Sequence, residues 1–233
     1  MMNLIKELLF PRRCPVCDEP VKIGQLICPE CQNAFKLLNG QICMKCGKKI
    51  DDEKNEYCHD CAKKKHYFER GRALFEYSYI NRSIYRFKYS GRQEYADYYA
   101  YMIAKHLGPV ILSWKPEMII PVPLHKSKLR IRGYNQSALI AKELSKLLNI
   151  PYCEKTVIRK RKTVPMKELN GGERQINLKN AFNIGNYDVK LKKIVIVDDI
   201  YTTGCTIDEI AKILKENGAA EVYFVTLSIG RGM

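Results

Sequence analysis

The sequence predicts an α/β protein: a mainly parallel sheet with helices on both faces, preceded by a small cysteine-rich domain. Three observations predict it. Eight of the ten cysteines fall before residue 62. Beyond about residue 68, short β-branched runs alternate with stretches of helical apolar spacing, a βαβ succession that yields parallel sheets. One run, Lys193-Ile194-Val195-Ile196-Val197, is apolar without alternation, as expected of a strand covered on both faces. The domains are expected at 1–67 and 68–233.

The cysteines of the first domain form four Cys-x-x-Cys pairs, Cys14/Cys17, Cys28/Cys31, Cys43/Cys46 and Cys58/Cys61. Each pair offers two thiolates through one tight turn, and two pairs complete the four-sulfur shell that Zn²⁺ favours. A disulfide framework would need an oxidising compartment, and no export signal is recognisable in the sequence. Sequential pairing puts Cys14, Cys17, Cys28 and Cys31 on one ion and Cys43, Cys46, Cys58 and Cys61 on the other; spacing alone leaves a cross-braced arrangement open. His59 and His66 are alternative ligands, though a solvent-facing histidine beside a zinc turn is commoner. With few large apolar residues in this segment, metal must supply its folding energy, on the order of 10 kcal/mol per site. With cysteine at every ligand position, two structural zinc ions are expected.

The 233 residues carry 40 Lys+Arg against 25 Asp+Glu, a formal charge of +15. Residues 1–70 hold 13 basic and 10 acidic side chains, net +3, leaving +12 for 71–233. Such a surface suits polyanions or phosphorylated ligands, or serves solubility alone. No stretch approaches the ~20 apolar residues of a membrane helix. Met1 to Phe10 reads as a short amphipathic helix stopped by Pro11, too short and charged for a signal peptide. A cytoplasmic protein is expected.

In the second domain, Arg72 to Tyr79 has strand character and a Tyr-rich helix is expected around Arg92 to Leu107. Met118-Ile119-Ile120 is a short strand ending at Pro121-Val122-Pro123-Leu124. Gln136 to Leu148 carries helical apolar spacing at Leu139, Ile140, Leu144, Leu147 and Leu148. After the Lys193–Val197 strand, a helix is expected from Thr206 to Asn217, with Asp208 and Glu209 early, Lys212 and Lys215 late and Asn217-Gly218 as its stop. Val222 to Leu227 is the next strand.

Ligands of such sheets bind beyond the carboxyl ends of strands. There Asp198-Asp199 is followed by Thr202-Thr203-Gly204-Cys205-Thr206 at a helix start. Free N–H groups, a positive helix end and small hydroxyls make a cradle for a phosphate dianion. Paired carboxylates beside it would repel a polyphosphate but suit vicinal sugar hydroxyls. The pattern selects a ribose 5-phosphate, and the absence of Gly-x-x-x-x-Gly-Lys-Ser/Thr disfavours a P-loop ATPase.

The segment resembles the phosphoribosyl-diphosphate (PRPP) motif of type I phosphoribosyltransferases. The resemblance implies that Asp198 and Asp199 hold the ribose in a catalytic site, while Thr202, Thr203, Gly204, Cys205 and Thr206 wrap the 5-phosphate and Mg²⁺ accompanies PRPP. It puts the diphosphate loop at Pro123, Leu124, His125 and Lys126, and a hood loop between Arg159 and Asn177, with Arg161, Arg174 and Asn177. Pro121-Val122-Pro123-Leu124-His125, Lys128, Arg130, Arg132-Gly133-Tyr134-Asn135-Gln136, Glu173-Arg174-x-x-Asn177 and Ala181-Phe182 are similar to the ComF family. So are Phe10-Pro11-x-x-Cys14-x-x-Cys17 and the later pairs. One departure is Met166, where similar proteins often carry Gln. Cys205 fills a variable slot, as a small residue or as a reactive thiolate at a helix start.

The family is associated with uptake of single-stranded DNA in natural transformation. The resemblance therefore implies single-stranded DNA as a partner, with Lys128, Arg130 and Arg132 as DNA or phosphate contacts, and zinc modules that dock a DNA helicase or DNA-processing protein. Arg159, Lys160, Arg161 and Lys162 add a second basic cluster. Tyr85, Phe87, Tyr89, Tyr95, Tyr98, Tyr99 and Tyr101 are candidate stacking platforms, although helical spacing packs most of them against the sheet. An active phosphoribosyltransferase is the alternative, but no acceptor is readable and no general base stands out. A PRPP-sensing regulator would lack a recognisable DNA-reading helix.

Overall fold

The structure is a computed structural model and describes residues 11–50, 52, 54–160 and 181–230. The expected N-terminal helix, and Arg161, Met166, Arg174 and Asn177 of the expected hood, lie outside the described residues.

Strands β1 (Arg70–Glu76), β2 (Met118–Pro121), β5 (Lys193–Tyr201) and β6 (Glu221–Ile229) form one parallel sheet in the order β1-β6-β5-β2. A two-stranded antiparallel ribbon, β3 (Val157–Arg159) with β4 (Phe182–Ile184), stands apart from it. The helices are α1 (His59–Lys63), α2 (Tyr77–Tyr89), α3 (Tyr95–Ser113), α4 (Lys126–Arg132), α5 (Gln136–Leu148) and α6 (Cys205–Glu216). Among the described residues no helix is long and apolar enough to cross a membrane.

The unbroken apolar run of β5 splits between two cores. Val195 and Val197 pack with residues of α2, α3 and α5, including Ile84, Tyr99, Ile103 and Leu144. Ile194 and Ile196 pack on the other face with Ile207, Ile210 and Leu214 of α6, Phe182 of β4 and Cys43 and Cys46. Period-two alternation thus sends both sets of side chains into apolar surroundings.

Both sheet edges are covered. Leu38 N donates to Leu74 O at 2.9 Å and Glu76 N to Lys36 O at 3.1 Å, so the segment after the first four cysteines runs antiparallel along β1. On the far side, Ile119 N donates to Pro151 O and Cys153 N to Ile119 O, at 2.8 and 3.0 Å. Among the described residues both edges are thus partly paired, which limits strand-on-strand association.

Three expectations shift. The strand-like stretch Arg72–Tyr79 ends as a strand at Glu76, and Tyr77 already opens α2. Ile80, Ile84 and Phe87 recur at helical spacing and bury on the core, which outweighs the β preference of the tyrosines. The Tyr-rich helix begins at Tyr95 and runs to Ser113, past the expected end. Strand β5 continues through Asp198 and Asp199 to Tyr201, because β6 pairs along its whole length.

Candidate functional site

Both cysteine sets assemble as sequential pairs: Cys14, Cys17, Cys28 and Cys31, and Cys43, Cys46, Cys58 and Cys61, with all sulfurs of a set within 4.8 Å of one another. A Zn–S bond of about 2.3 Å implies S···S separations of about 3.8 Å in a tetrahedron. The Cys17–Cys28 and Cys46–Cys58 separations are 3.7 and 3.6 Å, and no disulfide joins any described cysteine. The donor sets therefore fit structural zinc, and the cross-braced alternative is not adopted. His59 is exposed, and His66 Nδ1 instead lies 2.9 Å from Asp208 Oδ2, so neither completes a set.

The two carboxylates sit near the carboxyl end of β5, held by different elements. Ser137 Oγ, in the first turn of α5, donates to Asp198 Oδ1 at 2.8 Å. Gln136 Nε2 donates to Asp199 Oδ2 at 2.7 Å, and Lys88 Nζ of α2 lies 2.8 Å from the same oxygen. Asn135 caps α5, accepting from Ser137 N, and its amide donates to Val122 O of the loop after β2. The cap thus fixes Gln136 and Ser137 relative to both strand ends. Burial, reinforced by the Asp199 charge, pushes the Asp198 carboxyl up to about 7, against the opposing pull of Ser137 and Lys88.

Several cations lie on the same side of the sheet edge as this pair. Lys128 of α4 is held below the usual lysine range by burial and then by Arg159, Arg132 and Lys88, which brings four positive groups to one region. Arg159 is likewise lowered by burial, with Asp198 pulling the other way. Arg132 donates to Gln136 Oε1 and packs its guanidinium 5.1 Å from the Tyr89 ring centre. Arg130 and Lys126 are exposed. In the loop after β2, Pro123 is buried and Leu124 and His125 are half-buried, and His125 Nδ1 caps α4 by accepting from Ser127 N.

After β5 the chain turns through Gly204, at φ +76°, into α6, whose start has no side-chain cap. A Cβ at Gly204 would overlap the Tyr201 hydroxyl. Thr202 is exposed, Thr203 and Thr206 are half-buried, and Cys205 is buried in the core, where it accepts from Thr203 Oγ1 at 3.2 Å. An exposed reactive thiol is thereby disfavoured.

A protein of Haemophilus influenzae named competence protein F is 31% identical over 233 residues, which cover 95% of this chain and 96% of its own. The chain belongs to the competence protein F family. DNA utilization protein YhgH of Escherichia coli K12 is 32% identical over 220 residues, 92% of this chain and 96% of that one. Competence protein ComFC of Bacillus subtilis is 26% identical over 218 residues, 89% and 85%. A double zinc ribbon domain model matches residues 5–62, and a phosphoribosyl transferase domain model matches 135–231. Purine phosphoribosyltransferase from Pyrococcus horikoshii is 23% identical, over 57% of this chain and 71% of that one, with a TM-score of 0.37.

This family member brings Asp198, Asp199, Lys128 and Arg132 together and leaves Arg130 at the surface. Sequence reasoning gave no role to Lys88, Ser137 or Tyr201. Ser137 follows directly on the Arg132-to-Gln136 stretch and opens a helix, which is a readable signal. Lys88 has none, because its approach to Asp199 depends on how α2 crosses the sheet. The tyrosines divide: Tyr95, Tyr98 and Tyr99 are buried, while Tyr85, Tyr89 and Tyr101 are exposed.

Proposed function

We propose that the chain is a competence protein that handles incoming DNA. In this reading it binds PRPP at the carboxyl edge of its sheet and single-stranded DNA on the adjoining basic surface. The arrangement of Asp198, Asp199 and the uncapped start of α6 carries the reading: two carboxylates for ribose hydroxyls, then a left-handed glycine and free N–H groups for a phosphate. Asp198 and Asp199 would take the ribose, residues Thr202 to Thr206 the 5-phosphate, and the loop Pro123–Lys126 the diphosphate. Carboxylates are hard oxygen donors that suit Mg²⁺, which would neutralise diphosphate charge when bound. Residues 1–67, with two structural zinc ions, would form a docking module for a DNA helicase or DNA-processing partner. The relatives' names, competence and DNA utilization proteins, support the DNA role.

Calorimetry with PRPP tests the site. Wild type should bind more tightly with Mg²⁺ than without, and Asp198→Asn/Asp199→Asn should lose at least about tenfold in affinity, the loss of about one hydrogen bond to a charged group. No binding by wild type, or equal binding by the variant, would remove PRPP from the site. Single-stranded DNA should bind with steep salt dependence, weakened by charge reversal at Arg130 and Arg132. Binding no tighter than that of an unrelated protein of equal charge would count against DNA.

A second reading is an active phosphoribosyltransferase. The convergence of Lys128, Arg159, Arg132 and Lys88 favours it, since such charges would stabilise a departing diphosphate. An acceptor-dependent release of diphosphate from PRPP is its signature.

A further inference from the structure

We propose that Tyr85 and Tyr89, backed by Arg132, form a base-stacking site for single-stranded DNA at the rim of the carboxylate site; this rests on the DNA-binding reading above. The two tyrosines stand one helical turn apart on α2, their ring centres 4.9 Å apart and tilted by 47°. They remain 59% and 58% exposed, although α2 buries Ile80, Ile84 and Phe87 on its inner side. The pair is therefore not part of the core.

Arg132 extends the pair. Its guanidinium lies over Tyr89 and also donates to Gln136, whose amide donates to Asp199. From solvent inward the order is Tyr85, Tyr89, Arg132, Gln136, Asp199. Lys88, next to Tyr89 in the chain, reaches Asp199 from the same helix. With the rings in contact and the guanidinium over Tyr89, bases would stack on the outward ring faces, and the sequence tolerance of stacking suits a strand of any origin. Arg82, one turn before Tyr85, and Arg130, two residues before Arg132, are exposed cations that would be available to the strand's phosphates. A purely electrostatic track would need no exposed rings; a protein partner could also bury them, and comparing base-bearing with abasic strands separates the two.

The test uses the full-length, zinc-loaded chain and fluorescence anisotropy with oligo(dT) of about 15 nucleotides and an abasic strand of equal length and charge. Wild type is expected to prefer oligo(dT) to the abasic strand by about a hundredfold, tenfold for each ring. Tyr85→Ala/Tyr89→Ala is expected to lose about tenfold per ring on oligo(dT), with little change on the abasic strand, while Tyr85→Phe/Tyr89→Phe retains wild-type affinity. Both positions are exposed, so thermal melts should match wild type. Equal binding of the two strands, or a double-alanine variant within about twofold of wild type, overturns the stacking site. If charge reversal at Arg130 and Arg132 still weakens binding in that case, DNA binding stands and the stacking site alone falls. If wild type binds no single strand at all, both fall.

Discussion

Adjacent in sequence, Asp198 and Asp199 occupy unlike surroundings. Asp199 is buried against Lys88 and Gln136, whereas Asp198 is half-buried, held by one hydroxyl, and pushed up to about 7. A raised folded-state value means the folded protein holds a proton that the unfolded chain has already released. Stability therefore falls as pH rises from the ordinary carboxyl range toward 7, and the cost is complete above it. Asp198→Asn removes the cost. Its melting temperature should exceed wild type's at pH 8, by a margin equivalent to on the order of 2 kcal/mol after discounting for solvent screening, and the gap should shrink toward pH 5. Scanning calorimetry at the two pH values checks this; a gap that widens on acidification would contradict the Asp198 assignment.

At the scale of elements, the β5–loop–α6 unit was the most legible part of the chain. Its apolar run, paired aspartates, small hydroxyl residues and glycine each carry local meaning. The conformation of Gly204 adds what spacing could not: φ is +76°, and the Tyr201 side chain fills the space where a Cβ would sit. Tyr201 is itself held flat on Phe224, ring centres 4.7 Å apart, with Phe68 edge-on to both. Gly204→Ala meets a left-handed penalty of about 1 kcal/mol and displaces Tyr201. It should lower stability in urea by more than 1 kcal/mol and reduce PRPP affinity at least about tenfold. An alanine variant with wild-type PRPP affinity would place the phosphate elsewhere. The helix Gln136–Leu148 is legible with its bounds because Asn135 caps it and its apolar spacing is regular. Helix α2 is hard to read because the β preference of Tyr77 and Tyr79 competes with the short helical spacing of Ile80, Ile84 and Phe87, and their shared core decides between the two.

Across the whole molecule, the two cysteine sets meet different faces of the second domain. Around the first set, Asp18 accepts from Arg92 and Tyr95 at the start of α3, Arg12 pairs with Asp97 at 2.5 Å, and Val16 and Ile27 pack on the core that holds α2 and α3. Around the second, Lys45 O accepts from Gly71 N of β1 at 2.7 Å, and Cys43 and Cys46 join the core containing Tyr201, Cys205 and Phe224. From the same side, His66 and Tyr67 N bind Asp208 in the first turn of α6. Loss of the second set should therefore loosen the Thr202–Thr206 loop more than loss of the first. Cys43→Ser/Cys46→Ser should weaken PRPP binding by about tenfold or more, while Cys28→Ser/Cys31→Ser should change it less than about threefold. Metal analysis should give two zinc per wild-type chain and one per variant, matching the two cysteine sets. Equal effects of the two variants would refute the asymmetry.

The sequence by itself determined the zinc-ligand inventory, the two-sided burial of β5, the βαβ class and the Asp198-to-Thr206 loop. Each is written in residue types at short spacing, and turn geometry or side-chain period converts it directly into local structure. Only the tertiary structure decided which cysteine pairs share a site, that Lys88, Gln136 and Ser137 hold the carboxylates, and which tyrosines stay in solvent. Those outcomes depend on the crossing of helices and strands dozens of residues apart, where burial and charge are set by neighbours that no local pattern specifies.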